Sequence, residues 1–248
     1  MKTKKMFLLI LLQALLLTAC TKTEEPLPDI STNTSPEKGV IKGRITDSQG
    51  NPMANAQVVI EHTVYYASYV YATSDANGYY KTNVPNGSWK ASVQIQRNYQ
   101  GQTYKFNLHP DNAEPFAGNT GAVRNFSWKL SGAKPEGGFY GSYVAVYPEP
   151  GAAFLMEDVE LTLTPEGPLA DGTTGKTITK SLTDIGGGED GIKDVPLGKY
   201  IIAARNKANS QLLQIRIRNT GTYNNKVTGI FKSGYTGSTS YQIVVQVK

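Results

Sequence analysis

After residue 39 the chain alternates apolar and polar side chains with a period of two, in short runs broken by Gly, Pro, Asn and Asp. In 211–218, Leu213, Ile215 and Ile217 fall on one face and Gln214, Arg216 and Arg218 on the other. A half-buried strand requires this period, whereas a surface helix repeats every 3.6 residues. No sustained helical period with caps is present, and 25 Gly and 13 Pro punctuate the chain. Such runs cover 40–46, 57–63, 69–74, 79–84, 88–97, 104–109 and 122–130. After a Pro/Gly-rich break at 131–138 they resume at 139–146, 159–164, 177–183, 199–205, 211–218, 227–232 and 240–247. Seven short strands at this spacing predict an antiparallel β-sandwich, twice over. The expected domains are 39–131 and 139–248, joined by a linker at 132–138. Each has roughly 90 to 110 residues, enough for a core of its own.

The N-terminus carries a different signal. Lys2, Lys4 and Lys5 precede 14 uncharged residues, 6–19. A spanning helix needs about 20 apolar residues, so the stretch fits a secretory signal peptide, 1–19. It ends Leu17-Thr18-Ala19-Cys20, which resembles the lipobox of bacterial lipoproteins. That resemblance implies cleavage before Cys20 and acylation of its sulfur and amine. Each buried lipid CH₂ contributes about 0.8 kcal/mol, and two or three chains anchor stably where one does not. Loss of three lysines and no acid takes the net charge from +5 to +2. The basic character therefore belongs largely to the targeting segment, and no nucleic-acid partner is expected. Residues 20–38, rich in Ser, Thr, Asn and Pro, read as a lipidated tether. Lys22 with Glu24 and Glu25 resembles the short acidic signal that sends lipoproteins of the Bacteroides group to the outer face of the outer membrane. The expected location is the outer membrane, lipid-anchored and exposed at the cell surface.

A phrase recurs in the two halves. Asp75-Ala76-Asn77-Gly78 leads to Val84-Pro85-Asn86-Gly87-Ser88-Trp89, and Asp190-Gly191 leads to Val195-Pro196-Leu197-Gly198-Lys199-Tyr200. Pro presets the turn, Gly supplies a positive φ, and the aromatic opens the next inward-facing strand. In the first half, Gly39-Val40-Ile41-Lys42-Gly43, Asp47-Ser48-Gln49-Gly50-Asn51-Pro52 and Ala56-Gln57-Val58 precede Asp75–Gly78, Tyr79, Tyr80 and Val84–Gly87. This order, over about 39–131, resembles the carboxypeptidase regulatory-like (transthyretin-like) domain. The resemblance implies a seven-stranded Greek-key sandwich of the carbohydrate-binding-like fold, acting as an accessory without catalytic residues. The second half shares only the turn phrase and the strand count.

Chemistry is sparse. One Cys excludes a disulfide framework and a Cys-based zinc site, and His62 and His109 are too few and too far apart for the common metal and triad sets. Ala170–Thr177 fits a relaxed phosphate-loop pattern, but the alternating residues after it predict a strand where a phosphate loop needs a helix. Asp47–Asn51 and Asp75–Gly78 lack the further acids of a calcium loop and read as turns. Glu157-Asp158 and Glu189-Asp190 are adjacent acids, which a strand points to opposite faces, unlike the paired acids of a glycosidase. Lys42, Glu61 and Asn125 have the residue types of an internal isopeptide bond, but alternation places Lys42 opposite Ile41 and Ile45, pointing outward. No catalytic residue, metal or cofactor is expected. Trp89 and Trp128 alternate with core residues. Tyr65, Tyr69 and Tyr71 share a face with Ala67 and Thr73 and form a candidate ligand platform, with Tyr66 grouped with Val64 and Val70. The run 240–248 is a candidate edge strand for a partner. The expected function is non-catalytic binding or scaffolding at the membrane surface, with a glycan or a surface protein as partner.

Overall fold

The computed structural model describes residues 35–234 and 239–248. Cys20, the signal peptide and most of the tether lie outside the described residues. The first half contains β1 (Val40–Thr46), β2 (Gln57–His62), β3 (Tyr69–Thr73), β4 (Tyr79–Asn83), β5 (Ser88–Tyr99), β6 (Gln102–Pro110), β7 (Phe116–Ala117), β8 (Ala122–Val123) and β9 (Phe126–Ser127). They pair in the order β3-β2-β5-β6-β9-β1-β4, with β7 on β5 and β8 on β1. The pairs are antiparallel except β1–β8 and β1–β9, which are parallel. The path folds back on itself, so Ile41, Ile45 and Tyr80 share a core with Val58, Ile60, Val93 and Ile95.

The second half contains β10 (Ser142–Pro148), a 3₁₀ turn (Met156–Asp158), β11 (Val159–Pro165), β12 (Ile178–Ser181), β13 (Thr183–Gly186), β14 (Glu189–Val195), β15 (Lys199–Asn206), β16 (Leu212–Leu213), β17 (Ile215–Ile217), β18 (Val227–Ile230), β19 (Lys232–Ser233) and β20 (Tyr241–Val247). One sheet runs β13-β14-β10-β20-β17 with β19 also on β20, and the other β12-β11-β15-β16 with β18 on β15. The protein is thus all-β, with sheets packed as sandwiches, as the period of two predicts. In β5, Trp89, Ala91, Val93 and Ile95 are buried and Lys90, Ser92, Gln94 and Gln96 are exposed.

Three expectations are corrected, and one strand lies outside them. The run 211–218 is two strands, not one: Leu213 pairs with β15 in one sheet, Ile215 with β20 in the other, so the chain changes sheets at Gln214. Residues 122–130 break into β8 and β9 because Asn125 replaces part of the ladder: its Oδ1 accepts the Arg44 amide (2.9 Å) and its Nδ2 donates to Asp111 (2.7 Å). The strand β14 is charged and contains glycine, and its sequence carries no apolar alternation. Its Gly191 is packed so closely on the Val144 carbonyl that a Cβ would collide with it, and Ile192 and Val195 are buried. Finally, β20 is no free edge, since β10 lies on one side and β17 and β19 on the other.

Residues 34–248 form one compact unit. Strands pair within their own half, yet the buried cluster runs through both. Tyrosine hydroxyls bridge the halves. Tyr104 donates to the Phe231 carbonyl (2.8 Å), and Tyr241 accepts from the Lys105 amide (2.6 Å) and donates to its carbonyl (3.1 Å). Tyr99 donates to the Pro168 carbonyl (2.8 Å) and accepts from the Lys199 amide (2.9 Å). The Tyr104 and Tyr241 rings meet edge to face at 4.9 Å. Each such hydrogen bond contributes about 1 kcal/mol net, and such a ring pair about 0.5–1.5 kcal/mol beyond its area.

Burial pushes the Tyr104 hydroxyl up to about 12 and also raises Tyr80 and Tyr200 above the ordinary phenol value. Unfolded phenols ionise near pH 10, so above that pH the folded state holds more protons and stability falls as pH rises. Urea midpoints are expected to drop steeply above pH 10. Tyr104→Phe, costing about 1–2 kcal/mol at neutral pH, flattens that drop, because one phenol leaves the unfolded state.

Candidate functional site

The exposed aromatic side chains cluster around β3 and the loop that leads into it. Val70 and Ala72 of β3 turn inward, so Tyr69 and Tyr71 turn outward, with 42% and 54% of their surface exposed. Their ring centroids are 6.1 Å apart at 36°. Tyr65 is 68% exposed but does not lie on the strand as strict alternation predicts. It belongs to the loop 63–68, where Ala67 takes a φ of 54° and the His62 amide donates to the Ser68 carbonyl (2.9 Å). Tyr66, expected on the face of Val70, is instead 99% exposed, and Val64 is exposed as well. The alternation fails here because 63–68 is loop, where no pleat fixes the side.

His62 holds this loop. Its Nδ1 accepts both the Val64 and Tyr65 amides, each at 3.1 Å. An imidazole nitrogen that accepts is unprotonated, so the neutral ring carries its proton on Nε2. The ring lies 4.5 Å from that of Tyr65 and edge-on to Trp89 at 4.8 Å. Trp89 is itself buried and donates from Nε1 to the Pro85 carbonyl (2.9 Å). A core residue thereby fixes the base of the aromatic loop.

The register extends the face. Glu61 pairs with Tyr69, Val59 with Tyr71 and Gln57 with Thr73 across β2 and β3. Glu61 then pairs with Lys90 and Val59 with Ser92 across to β5. Gln94 pairs with Asn107 of β6, and its Nε2 donates to the Asn107 Oδ1 (3.1 Å). Directly opposed residues of an antiparallel pair project to one side. Tyr69 and Tyr71 therefore stand at the margin of a sheet face that carries Gln57, Glu61, Lys90, Ser92, Gln94 and Asn107, all exposed. The sequence separates these residues from the core by alternation. It does not give the register that sets them beside the tyrosines.

Other sequence candidates dissolve into structure. Trp128 is buried against Phe106 (5.0 Å) beneath the Arg97 guanidinium (5.3 Å). Asp47 Oδ1 accepts the Gln49 and Asn51 amides, and Asp75 Oδ1 those of Asn77 and Tyr79, so both are turn residues. Desolvation pushes the Asp47 carboxyl up, but hydrogen bonds from Asn51, Gln49 and Gly50 outweigh it and hold it below the usual range. Asp171 caps its own turn through Thr173 and accepts from Ser48 (2.6 Å), and the strand β12 follows. Glu157 and Asp158 sit on the 3₁₀ turn, and Glu189 accepts from the Tyr147 hydroxyl. Neither acid pair lines the groove of about 500 Å³ beside β20 or the cleft of about 270 Å³ beside Trp128.

Lys42 is a correction: it shares the face of Val40 and Arg44, yet it is buried. β1 lies inside the sheet, and Glu37 reaches Lys42 at 3.8 Å and Lys81 at 2.8 Å. The hydrogen bond from Lys81 holds the Glu37 carboxyl below its usual range. Asn125 is engaged by Asp111 and Arg44, and Glu61 lies on the exposed face of β2. The three isopeptide candidates thus have separate surroundings.

Residues 40–117 match the family model of the carboxypeptidase regulatory-like domain. No curated protein matches the chain. Among solved structures, a candidate carbohydrate-binding protein from Pseudomonas aeruginosa is 18% identical over 39% of this chain and 92% of its own, with a TM-score of 0.23. The TIE protein of Bacillus anthracis is 16% identical over 85% of this chain, which spans only 34% of that one, with a TM-score of 0.34. A DUF3823 family protein from Bacteroides ovatus is 9% identical over 77% of this chain and 98% of its own, with a TM-score of 0.24.

His62→Ala removes the acceptor that fixes the aromatic loop. In hydrogen-exchange mass spectrometry, peptides spanning 63–66 are expected to exchange faster in this variant, with β5 unchanged.

Proposed function

We propose that the chain is a non-catalytic, lipid-anchored binding module of the cell surface, and that it holds a glycan against the face bearing Tyr69 and Tyr71, with Tyr65 at its border. The supporting observation is the exposure of these rings on a sheet whose other side is core. A phenol ring with about half its surface in solvent leaves apolar area that the fold does not cover, and its flat surface suits the C–H faces of a pyranose. Glycoside hydrolysis requires two carboxylates at a defined separation. Along these rows, among the described residues, Glu61 is the single acid and Lys90 lies opposite it. That chemistry holds a sugar and does not cleave it.

A second reading, a protein partner adding a strand, is favoured by β3 itself, which pairs with β2 alone among the described strands. The Ser74 amide donates to the Ala56 carbonyl (3.0 Å) and the His62 amide of β2 to the Ser68 carbonyl (2.9 Å), so the pairs 56–74 and 62–68 are hydrogen-bonded. By alternation the amides of Tyr69, Tyr71 and Thr73 point to the open edge.

The detergent-solubilised full chain, run by affinity electrophoresis through neutral polysaccharides, is expected to be retarded. Tyr69→Ala and Tyr71→Ala are expected to weaken binding about tenfold or more, the scale of a truncated aromatic anchor. Thr73→Pro removes an edge amide and keeps both rings, so it leaves glycan binding intact and abolishes strand addition. A folded chain that no neutral polysaccharide retards refutes the glycan reading.

Anchoring has its own test. Cys20→Ser is expected to move the protein from the membrane to the soluble fraction, since the acyl chains supply the attachment. Unchanged membrane attachment overturns it.

A further inference from the structure

We propose that the binding face continues from the tyrosines across β2, β5 and β6, that Glu61, Ser92, Gln94 and Asn107 are its hydrogen-bonding residues, and that its ligand is a flat, uncharged, β-1,4-linked oligosaccharide lying across the strands. This rests on the reading of Tyr69 and Tyr71 as a glycan platform and adds the ligand class and the polar half of the site.

Register carries the inference. Tyr69 is followed across the sheet by Glu61 and Lys90, and Tyr71 by Val59 and Ser92. One pleat step further along β5, Gln94 opposes Asn107 on β6. Neighbouring strands lie about 4.8 Å apart, so the four strands offer about 14 Å of continuous surface. That span suits several linked rings and exceeds a single one. The surface is graded, with aromatic rings at the β3 margin and amides at the β6 margin. A β-1,4-linked chain is a ribbon with C–H faces above and below and hydroxyls along its edges, so one unit can rest a C–H face on the rings at the β3 margin while the edge hydroxyls of units further along reach the amides at the β6 margin.

The polar groups fit hydroxyls better than charges. An amide offers both a donor and an acceptor, as a hydroxyl does. The Gln94–Asn107 hydrogen bond uses one amide proton of Gln94 and the carbonyl oxygen of Asn107. Gln94 Oε1 therefore remains to accept. The Asn107 amide, which makes one long contact with Thr239 (3.5 Å), keeps a proton to donate. Glu61 and Lys90 stand directly opposed, so this part of the face has no net charge. A polyanion such as nucleic acid or an anionic membrane would require a run of cations here. A neutral ligand requires none. The strands that carry these side chains are paired over a packed core, so the backbone needs no ordering on binding and the side-chain rotamers alone must be fixed.

Titration calorimetry on the detergent-solubilised full chain tests this with cello- and manno-oligosaccharides of two to six units, with maltohexaose and oligogalacturonate as controls. The β-1,4 hexamers are expected to bind well, the dimers far more weakly, and both controls poorly. Gln94→Ala and Asn107→Ala are each expected to weaken hexamer binding about fivefold and leave dimer binding unchanged, as for a lost hydrogen bond at the far end. Tyr71→Ala weakens both lengths. Hexamer affinity unmoved by either amide variant, affinity independent of length, preference for a control, or no binding by any β-1,4 probe each overturns the extended site. A chain indifferent to Tyr71→Ala but sensitive to the amide variants overturns the platform reading instead. Self-association through this face, seen as a dimer in sedimentation that oligosaccharide does not dissolve, also overturns it.

Discussion

A strand that commits every second side chain to a core has no choice about the others. In β5 the commitment is complete along 89–95, where four alternate residues are buried. Burying a Val or Ile side chain contributes about 1.5–3 kcal/mol, and a slip of one residue would turn the whole set to water. Val58 and Ile60 on β2 and Leu108 on β6 pin their strands in the same way. The outer face is therefore fixed as rigidly as the core, although it contributes little to stability. Which residues stand side by side on it follows from which residues are buried beneath it.

The second constraint is polar. The two halves meet through tyrosines whose rings join the apolar cluster while their hydroxyls satisfy backbone groups of the opposite half. A buried carbonyl left without a donor costs about 1–3 kcal/mol, so each hydroxyl specifies an orientation as well as a contact. Tyrosine serves two purposes in this chain. At Tyr80, Tyr104, Tyr200 and Tyr241 it is a core residue with a polar tip, and at Tyr65, Tyr69 and Tyr71 it is surface. Composition reports the sum of these uses and cannot separate them. The pleat separates them wherever a strand exists.

That distinction sets how much was legible in the sequence. The all-β class, the bounds of β1 and the buried state of Trp89 and Trp128 follow from local periodicity alone. Local periodicity failed where a tertiary contact replaced it. β14 has a charged, glycine-containing sequence and becomes a strand because Gly191 lets Val144 approach. Asn125 interrupts a run that pattern alone makes continuous, and Gln214 marks a change of sheet within one unbroken alternation. Lys42 faces as predicted but is buried, since alternation fixes the side of a residue and not what lies over it. For the candidate site, Tyr69 and Tyr71 were readable from β3 itself. Tyr65 lies in the loop 63–68, beyond the alternating run of β3, and its place depends on His62. Glu61, Ser92, Gln94 and Asn107 required the register of three strand pairs, which no single stretch of sequence contains.

The geometry of a sheet face also bears on what it can do. Its side chains leave the backbone nearly parallel and spread over a plane, spaced by strand separation in one direction and by the pleat in the other. Catalysis needs the opposite arrangement, groups converging on one reacting atom within hydrogen-bond reach, with water excluded. Loops and clefts provide convergence, and beside the tyrosines of this face the loop 63–68 brings aromatic rings and no acid. A planar array of rings and amides suits an extended ligand contacted weakly at several points, whose affinity grows with length. Such a ligand gains from rigidity in the surface and requires no closure over it, which fits tyrosines carried on β3 and a loop held by His62 against the buried Trp89.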